Sequence, residues 1–235
     1  MDMKINKIRI IRFFLTIIIS SLISSLMVVL IQFILNKKIN YYNENILKVV
    51  EVAAYDEIEN KSYGSAWFLD DNTIVTNYHV ISSLNHGVRE NFDYIDIRFY
   101  DSEQYETVTL KKYDEVKDIA FLKYEGNHRH LSFATTNKIS NSQKCYSIGN
   151  FFNYGLSYKE GYISLSKINL LYNGNYTNFI QCSISIGSGD SGAPLFNDKN
   201  EVIGMITFRT RGLTGNVEQC FAYAIPTVTI LEMYV

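Results

Sequence analysis

Two prolines, one tryptophan and three cysteines are all that this chain spends on its most constraining residues. With so little proline, strands can run uninterrupted, and 18 tyrosines with 14 phenylalanines supply the aromatic side chains that strand cores favour. Cysteines 145, 182 and 220 are odd in number, so at least one is free or intermolecular. None has the histidine partner that a thiol nucleophile needs. No spacing of His with Cys, Asp or Glu forms a zinc pattern and no cofactor motif occurs, so neither a metal nor a cofactor is expected. His86, His128 and His130 fall in polar turns and read as solvated loop residues. A lysine/arginine stripe is also missing, which argues against nucleic acid as a partner. There is no internal repeat and no low-complexity tract.

What is present first is a leader. Phe13 to Leu35 carries no charge and is interrupted only by Thr16, four serines and Gln32. About 20 such residues span a bilayer core, so a transmembrane helix is expected over 13–35, after a basic tail at 1–12 and before a polar tether at 36–47. A cleaved signal peptide would have a shorter apolar core and a small-residue cleavage site; the serine pairs 20–21 and 24–25 imitate such a site, and cleavage stays the alternative. Lys4, Lys7, Arg9 and Arg12 before the span, against Lys37 and Lys38 after it, favour an N-inside orientation with the rest of the chain outside the cytoplasm. Beyond the leader the chain is acidic, 16 basic residues against 23 acidic ones.

From Val49 the pattern becomes that of short strands bounded by Asp, Asn, Gly or Glu clusters. Strands are expected at Val49–Ala54, Ser65–Leu69, Ile74–Val80, Tyr94–Tyr100, Thr107–Leu110 and Ile119–Tyr124. A second set follows at Lys144–Ile148, Lys159–Ile168, Phe179–Ile186, Val202–Phe208 and Cys220–Ala224. Short strands at this spacing, with hardly a helix, indicate barrels or sandwiches.

Three segments carry the chemistry. Gly-Ser-Gly-Asp-Ser-Gly-Ala-Pro-Leu, residues 187–195, sets Ser191 on a glycine-rich loop between two strand-like runs. Its glycines permit positive φ, so the Gly189 and Ser191 amides can serve as an oxyanion hole. A bare G-x-S-G is also what a hairpin turn looks like. Two further segments weigh against that: Ile74–Val80, which ends its β-branched run on His79, and Asp118–Lys123, an aspartate at the mouth of an apolar strand. A serine hydroxyl needs a base, and the base needs an anion on its other nitrogen. Asp114 is the nearest rival acid, but it lies in a charged run without an apolar strand to bury it.

In these segments, and in Gly64–Phe68, Ser147–Asn150, Phe179–Gln181 and Ala224–Pro226, the chain resembles trypsin-like serine proteases of the HtrA/DegP-like branch over about residues 48–230. Pro194–Gly204 is also similar to the glutamyl endopeptidases and exfoliative toxins. The resemblance implies an all-β, chymotrypsin-like fold of two Greek-key six-stranded β-barrels, at about 48–135 and 140–235, behind the N-terminal transmembrane helix. It implies a membrane-anchored serine endopeptidase acting on proteins or peptides, with His79 as base, Asp118 orienting it and Ser191 as nucleophile, in extracytoplasmic protein quality control. A catalytically inactive binding protein on the same fold, and a narrow toxin-like or regulatory protease, are the alternatives. Oligomeric state is not implied.

The chain also departs from the family. Asp190 stands where HtrA-like enzymes carry asparagine; in zymogen-type proteases that aspartate pairs with a newly released N-terminus. Here it is expected to accept backbone N–H groups or to meet Arg209 or Arg211. Ala193 replaces a glycine. With nine residues after Pro226 in this sequence, the family's PDZ domain is not expected here. In the resembled fold Cys182 and Cys220 lie on neighbouring strands, where a disulfide or two buried thiols would fit. The primary pocket falls to Ser185, Ile186, Thr207, Phe208 and Arg209. It has no acid for an Arg or Lys substrate side chain, and Arg209 narrows its mouth, so small or medium aliphatic P1 residues are expected.

Overall fold

A computed structural model of the protein describes residues 2–58, 60–134, 139–209 and 221–234. The chain divides into two compact units, Met1–Glu44 and Asn45–Val235. The first belongs to helix α1, Asp2–Ile46, which passes through the apolar run and carries on into the segment read as a tether. Its polar side chains fold back on its own backbone: the Thr16 hydroxyl donates to the Arg12 carbonyl at 2.8 Å, Ser20 to Ile17 at 3.0 Å and Ser24 to Ser20 at 2.9 Å. The apolar side chains are left outside. The helix is long and apolar enough to cross a membrane, its best window having a mean hydropathy of 2.6 with none of it buried.

The second unit is mostly strand. β1 (Val49–Tyr55), β2 (Lys61–Phe68) and β3 (Thr73–Thr76) form an antiparallel meander. A separate hairpin, β4 (Ser82–Asn85) and β5 (Val88–Asn91), follows, and β6 (Tyr94–Phe99) then returns beside β1. β7 (Tyr105–Thr107) and β8 (Thr109–Asp114) are consecutive halves of one strand broken at Val108. β7 pairs with β6 at one edge of the sheet; β8 pairs with β9 (Ile119–Lys123) at the other. The seven-stranded sheet therefore closes on itself as a barrel of six staves, with the Val108 N–H donating to the Ile95 carbonyl at 2.9 Å near the break.

The same plan repeats. β10 (Lys144–Asn150), β11 (Leu156–Tyr172) and β12 (Asn175–Cys182) form a meander, and β13 (Pro194–Asn197) returns beside β10. β14 (Val202–Arg209) and β15 (Ala222–Pro226) complete a closed six-stranded barrel. A fourth strand lying beside the first is the Greek-key arrangement. Helix α2, Thr227–Tyr234, ends the unit.

Alternation explains which residues enter each barrel. In β6, Ile95, Ile97 and Phe99 are buried while Tyr94 is exposed and Asp96 and Arg98 are half-buried, the period of a strand with one wet face. These side chains join Val50, Val52, Phe68, Ile74 and Leu122 in the first core; Ile163, Ile180, Leu195 and Ile206 belong to the second. Each such side chain, fully buried, contributes about 1.5–3 kcal/mol.

Several elements differ from expectation. β3 stops at Thr76, and Tyr78–Val80 is a 3-10 turn rather than strand. The polar hairpin β4–β5, strand β13 and helix α2 were not expected. β11 runs 17 residues, well past Ile168. Cys220, Arg211 and the start of the last expected strand lie outside the described residues.

Candidate active site

The 3-10 turn after β3 exists because its backbone is claimed from the side. The His79 N–H donates to Asp118 Oδ1 at 2.8 Å, where a strand would have donated to its neighbour. The imidazole Nδ1 lies 2.7 Å from Asp118 Oδ2. A carboxylate only accepts, so Nδ1 carries the proton and Nε2 of the neutral ring is the basic nitrogen. Asp118 is 1% exposed and takes a positive φ of 56° at the mouth of β9. Asn77 holds that turn, its Nδ2 donating to the Asp118 carbonyl at 2.9 Å and to Thr207 Oγ1 at 3.1 Å. Asp114, the rival acid, instead accepts the Lys117 N–H at 2.9 Å.

A third donor reaches Asp118 from the other barrel. The Tyr172 hydroxyl, at the far end of β11, lies 2.8 Å from Asp118 Oδ2. Burial first, and the neighbouring carboxylate second, push this phenol upward, so it stays a donor. Its ring stacks on Phe208 at 5.0 Å, and Phe208 stacks in turn on Tyr223 at 4.9 Å. The turn beyond it is fastened too, Asn173 Nδ2 donating to the Glu115 carbonyl at 2.9 Å.

Ser191 stands just before β13. Its hydroxyl donates to the Thr207 carbonyl at 3.1 Å, and no hydrogen bond joins it to His79. The Gly189 and Ser191 amides have no hydrogen-bond partner among the described residues, so both are free donors. The first barrel props the loop through one residue. The Ser65 N–H donates to the Ser191 carbonyl at 2.8 Å and the Ser65 hydroxyl to the Gly189 carbonyl at 2.7 Å, while Ser65 Oγ accepts the Asn150 N–H at 2.8 Å. The Thr76 hydroxyl holds the Ser65 carbonyl at 2.8 Å. Gly189 takes φ +90°, and a Cβ there would run into the Asn150 carbonyl oxygen. Ala193 is not among the positive-φ residues, so replacing glycine there is mild.

Asp190 is 1% exposed, and its Oδ2 accepts the Gly187 N–H at 2.8 Å. Among the described residues its ion-pair partner is Lys159, whose Nζ, from β11, meets Oδ1; the Arg211 expectation falls on a residue outside those described. Arg209 Nη1 instead donates to the Ile186 carbonyl at 3.1 Å. Ser185 is exposed, Ile186 is packed in the second core, Thr207 is buried, and Phe208 and Arg209 are half-buried at the end of β14. Lys159, Tyr172, Ser65 and Asn77 were not singled out as site residues by sequence.

The remaining histidines and cysteines sit elsewhere. His128 is half-buried, stacked on Phe68 at 4.4 Å at the edge of the first core rather than solvated, whereas His130 meets Asp71 at the surface. Cys145 and Cys182 are free and buried in the second core, and the contact with Cys182, with burial second, pushes the Cys145 thiol upward. The Cys182–Cys220 pairing falls on a residue outside those described.

Residues 64–205 match the family described as trypsin-like peptidase domain. A probable periplasmic serine endoprotease, DegP-like, of Pseudomonas putida (strain GB-1) is 31% identical over 180 residues, covering 74% of this chain and 35% of the relative. A protein of the same description from Chlamydia pneumoniae is 30% identical over 159 residues, covering 67% and 30%. This chain thus spans about a third of the length of these relatives. Among solved structures, the HtrA-type protease AlgW with a tripeptide superposes with a TM-score of 0.71 at 26% identity, covering 82% of this chain and 60% of that one. A protease from M. tuberculosis in its active form shares the fold at a TM-score of 0.69 and 15% identity, covering 82% and 81%.

Proposed function

Since the chain belongs to the trypsin-like peptidase family, we propose that it is a serine endopeptidase, tethered to a membrane by α1 and working outside the cytoplasm. The observation that carries this is the His79–Asp118 pair, bonded through both ring and backbone, beside a serine whose loop offers two free amides. In the proposed cycle the Ser191 hydroxyl leaves the Thr207 carbonyl and gives its proton to His79 Nε2 as it attacks the scissile carbonyl. Asp118 stabilises the imidazolium. The Gly189 and Ser191 amides take the charge on the former carbonyl oxygen, His79 returns the proton to the leaving amine, and water repeats the sequence on the acyl-enzyme.

Arg209, anchored on the Ile186 carbonyl, supports a narrow primary pocket that takes small or medium aliphatic side chains. The apolar helix and the periplasmic description of the relatives support an extracytoplasmic domain that clips accessible protein segments in quality control. The Ser191–Thr207 bond is what an inactive binding protein of this fold would also show. One experiment decides both activity and side of the membrane. A membrane-impermeant fluorophosphonate applied to intact spheroplasts should label the wild type and leave Ser191→Ala blank, and peptide cleavage by purified Ser191→Ala should fall by several orders of magnitude. Labelling that needs a permeant reagent reverses the topology; none in lysed cells removes the enzyme.

A further inference from the structure

A lysine and an aspartate removed from water together, next to a nucleophile, call for a reason. Asp190 is the residue before Ser191 and only 1% exposed; the Lys159 side chain is 14% exposed. Burial is the largest influence on each, pushing Asp190 up and Lys159 down, with each charge partly offsetting the other's shift. A buried pair of this kind is poor support for stability, since an apolar replacement of the same volume commonly does as well. Its geometry points elsewhere. One Asp190 oxygen takes Lys159 and the other takes the Gly187 N–H, while the Asp190 carbonyl accepts the Ala193 N–H at 3.0 Å. The residue thus staples the loop on both sides of Gly189 and Ser191. The surroundings are shaped for it: Lys159 Nζ lies 4.8 Å from the centre of the Phe151 ring, and a Cβ on Gly149 would sit 2.7 Å from Asp190 Oδ1.

We infer that Lys159 is the positioning residue of the oxyanion loop, a cation built into β11 that holds Asp190 so that the Gly189 and Ser191 amides stay free for the transition state. The loop is then competent as the chain folds, and no newly cut N-terminus has to supply the charge. This inference rests on the serine-endopeptidase reading. Among the described residues Arg209 is the other charged group acting on Asp190, and it is occupied by the Ile186 carbonyl. The pair holds only while both partners are charged. Activity should therefore fall toward acid as the raised Asp190 takes a proton, and toward alkali as Lys159 loses one below the ordinary lysine range of 10.5.

The test uses the full-length protein in detergent, with wild type and Ser191→Ala as references, and compares Lys159→Met, Lys159→Arg and the double variant Lys159→Met/Asp190→Asn. Lys159→Met should lose on the order of a hundredfold in kcat with little change in KM, as removal of an oxyanion donor does. The double variant leaves no unpaired buried charge; it should melt like the wild type yet stay as slow as Lys159→Met. Lys159→Arg should keep most of the activity and carry its alkaline limit to higher pH, because guanidinium does not deprotonate there. Wild-type kcat in Lys159→Met or in the double variant, or identical alkaline limits in wild type and Lys159→Arg, would overturn the inference while leaving the protease intact. A wild type no faster than Ser191→Ala would overturn both.

Discussion

In the first barrel, His79 is tied through ring and backbone to one carboxylate, and that carboxylate accepts a further hydroxyl from the second barrel. In the second barrel, the Ser191 hydroxyl donates a hydrogen bond to the carbonyl of Thr207, a residue of its own barrel, and makes none to His79. Both barrels follow one strand plan, yet the proposed acid–base pair of the first is already bonded while the proposed nucleophile of the second is bonded elsewhere. The difference follows from bond strength. Bonds to an ionised carboxylate contribute about 1.5–3 kcal/mol, whereas a neutral hydroxyl–carbonyl bond nets about 0.5–1.5 kcal/mol and is readily exchanged. The imidazole is therefore held by charge, whereas the Ser191 hydroxyl, on a loop itself fastened by Lys159 and Asp190, is held only by a neutral bond.

The sharpest way to break this comparison is to spoil the second half alone. Gly189→Ala puts a Cβ into the Asn150 carbonyl at a positive φ, so the loop must shift. We expect kcat to fall by on the order of 10²–10³-fold, with the downfield NMR signal of the His79 Nδ1 proton unchanged. Full activity in this variant would remove Gly189 from the oxyanion site.

Tyr172→Phe cuts the bond by which the second barrel supports the first. Loss of one hydroxyl donor to a carboxylate should lower kcat on the order of tenfold at constant KM and near-constant melting temperature. A change in KM alone would make Tyr172 a substrate contact instead. The smallest effect belongs to the pocket. Arg209→Ala should shift P1 preference toward larger aliphatic side chains by roughly fivefold in kcat/KM, within the ~1–3 kcal/mol that a methylene commands. A peptide library giving the same P1 profile for both proteins would show that Arg209 does not border the pocket.

The three segments proposed to carry the triad stand out in sequence because each announces itself locally: a β-branched run ending on His79, an aspartate opening the apolar strand Ile119–Lys123, and glycines around Ser191. The two-barrel plan came with the motifs. What stayed hidden is held by distant partners. Lys159 and Asp190 are 31 residues apart, Tyr172 and Asp118 are 54, and neither lysine nor tyrosine stands out in a strand where charged and aromatic residues alternate along a half-wet face. The β4–β5 hairpin escaped because its eight strand residues are mostly polar and lack the alternation that marks a buried face. The continuation of α1 through Asn36–Ile46 escaped because helix propensity in a polar stretch leaves no apolar stripe to find.

Ser65 carries a consequence for the order of synthesis. It sits in β2 and supports both Gly189 and Ser191, while the Thr207 carbonyl that receives the nucleophile's hydroxyl arrives only with β14. A polypeptide emerging N-terminus first possesses its base and acid long before its nucleophile. That nucleophile finds its platform already folded but its last support still inside the ribosome. If the proposed chemistry holds, hydrolytic power is the final property the chain acquires, and a translation product cut short before β14 would lack the Thr207 carbonyl that receives the Ser191 hydroxyl.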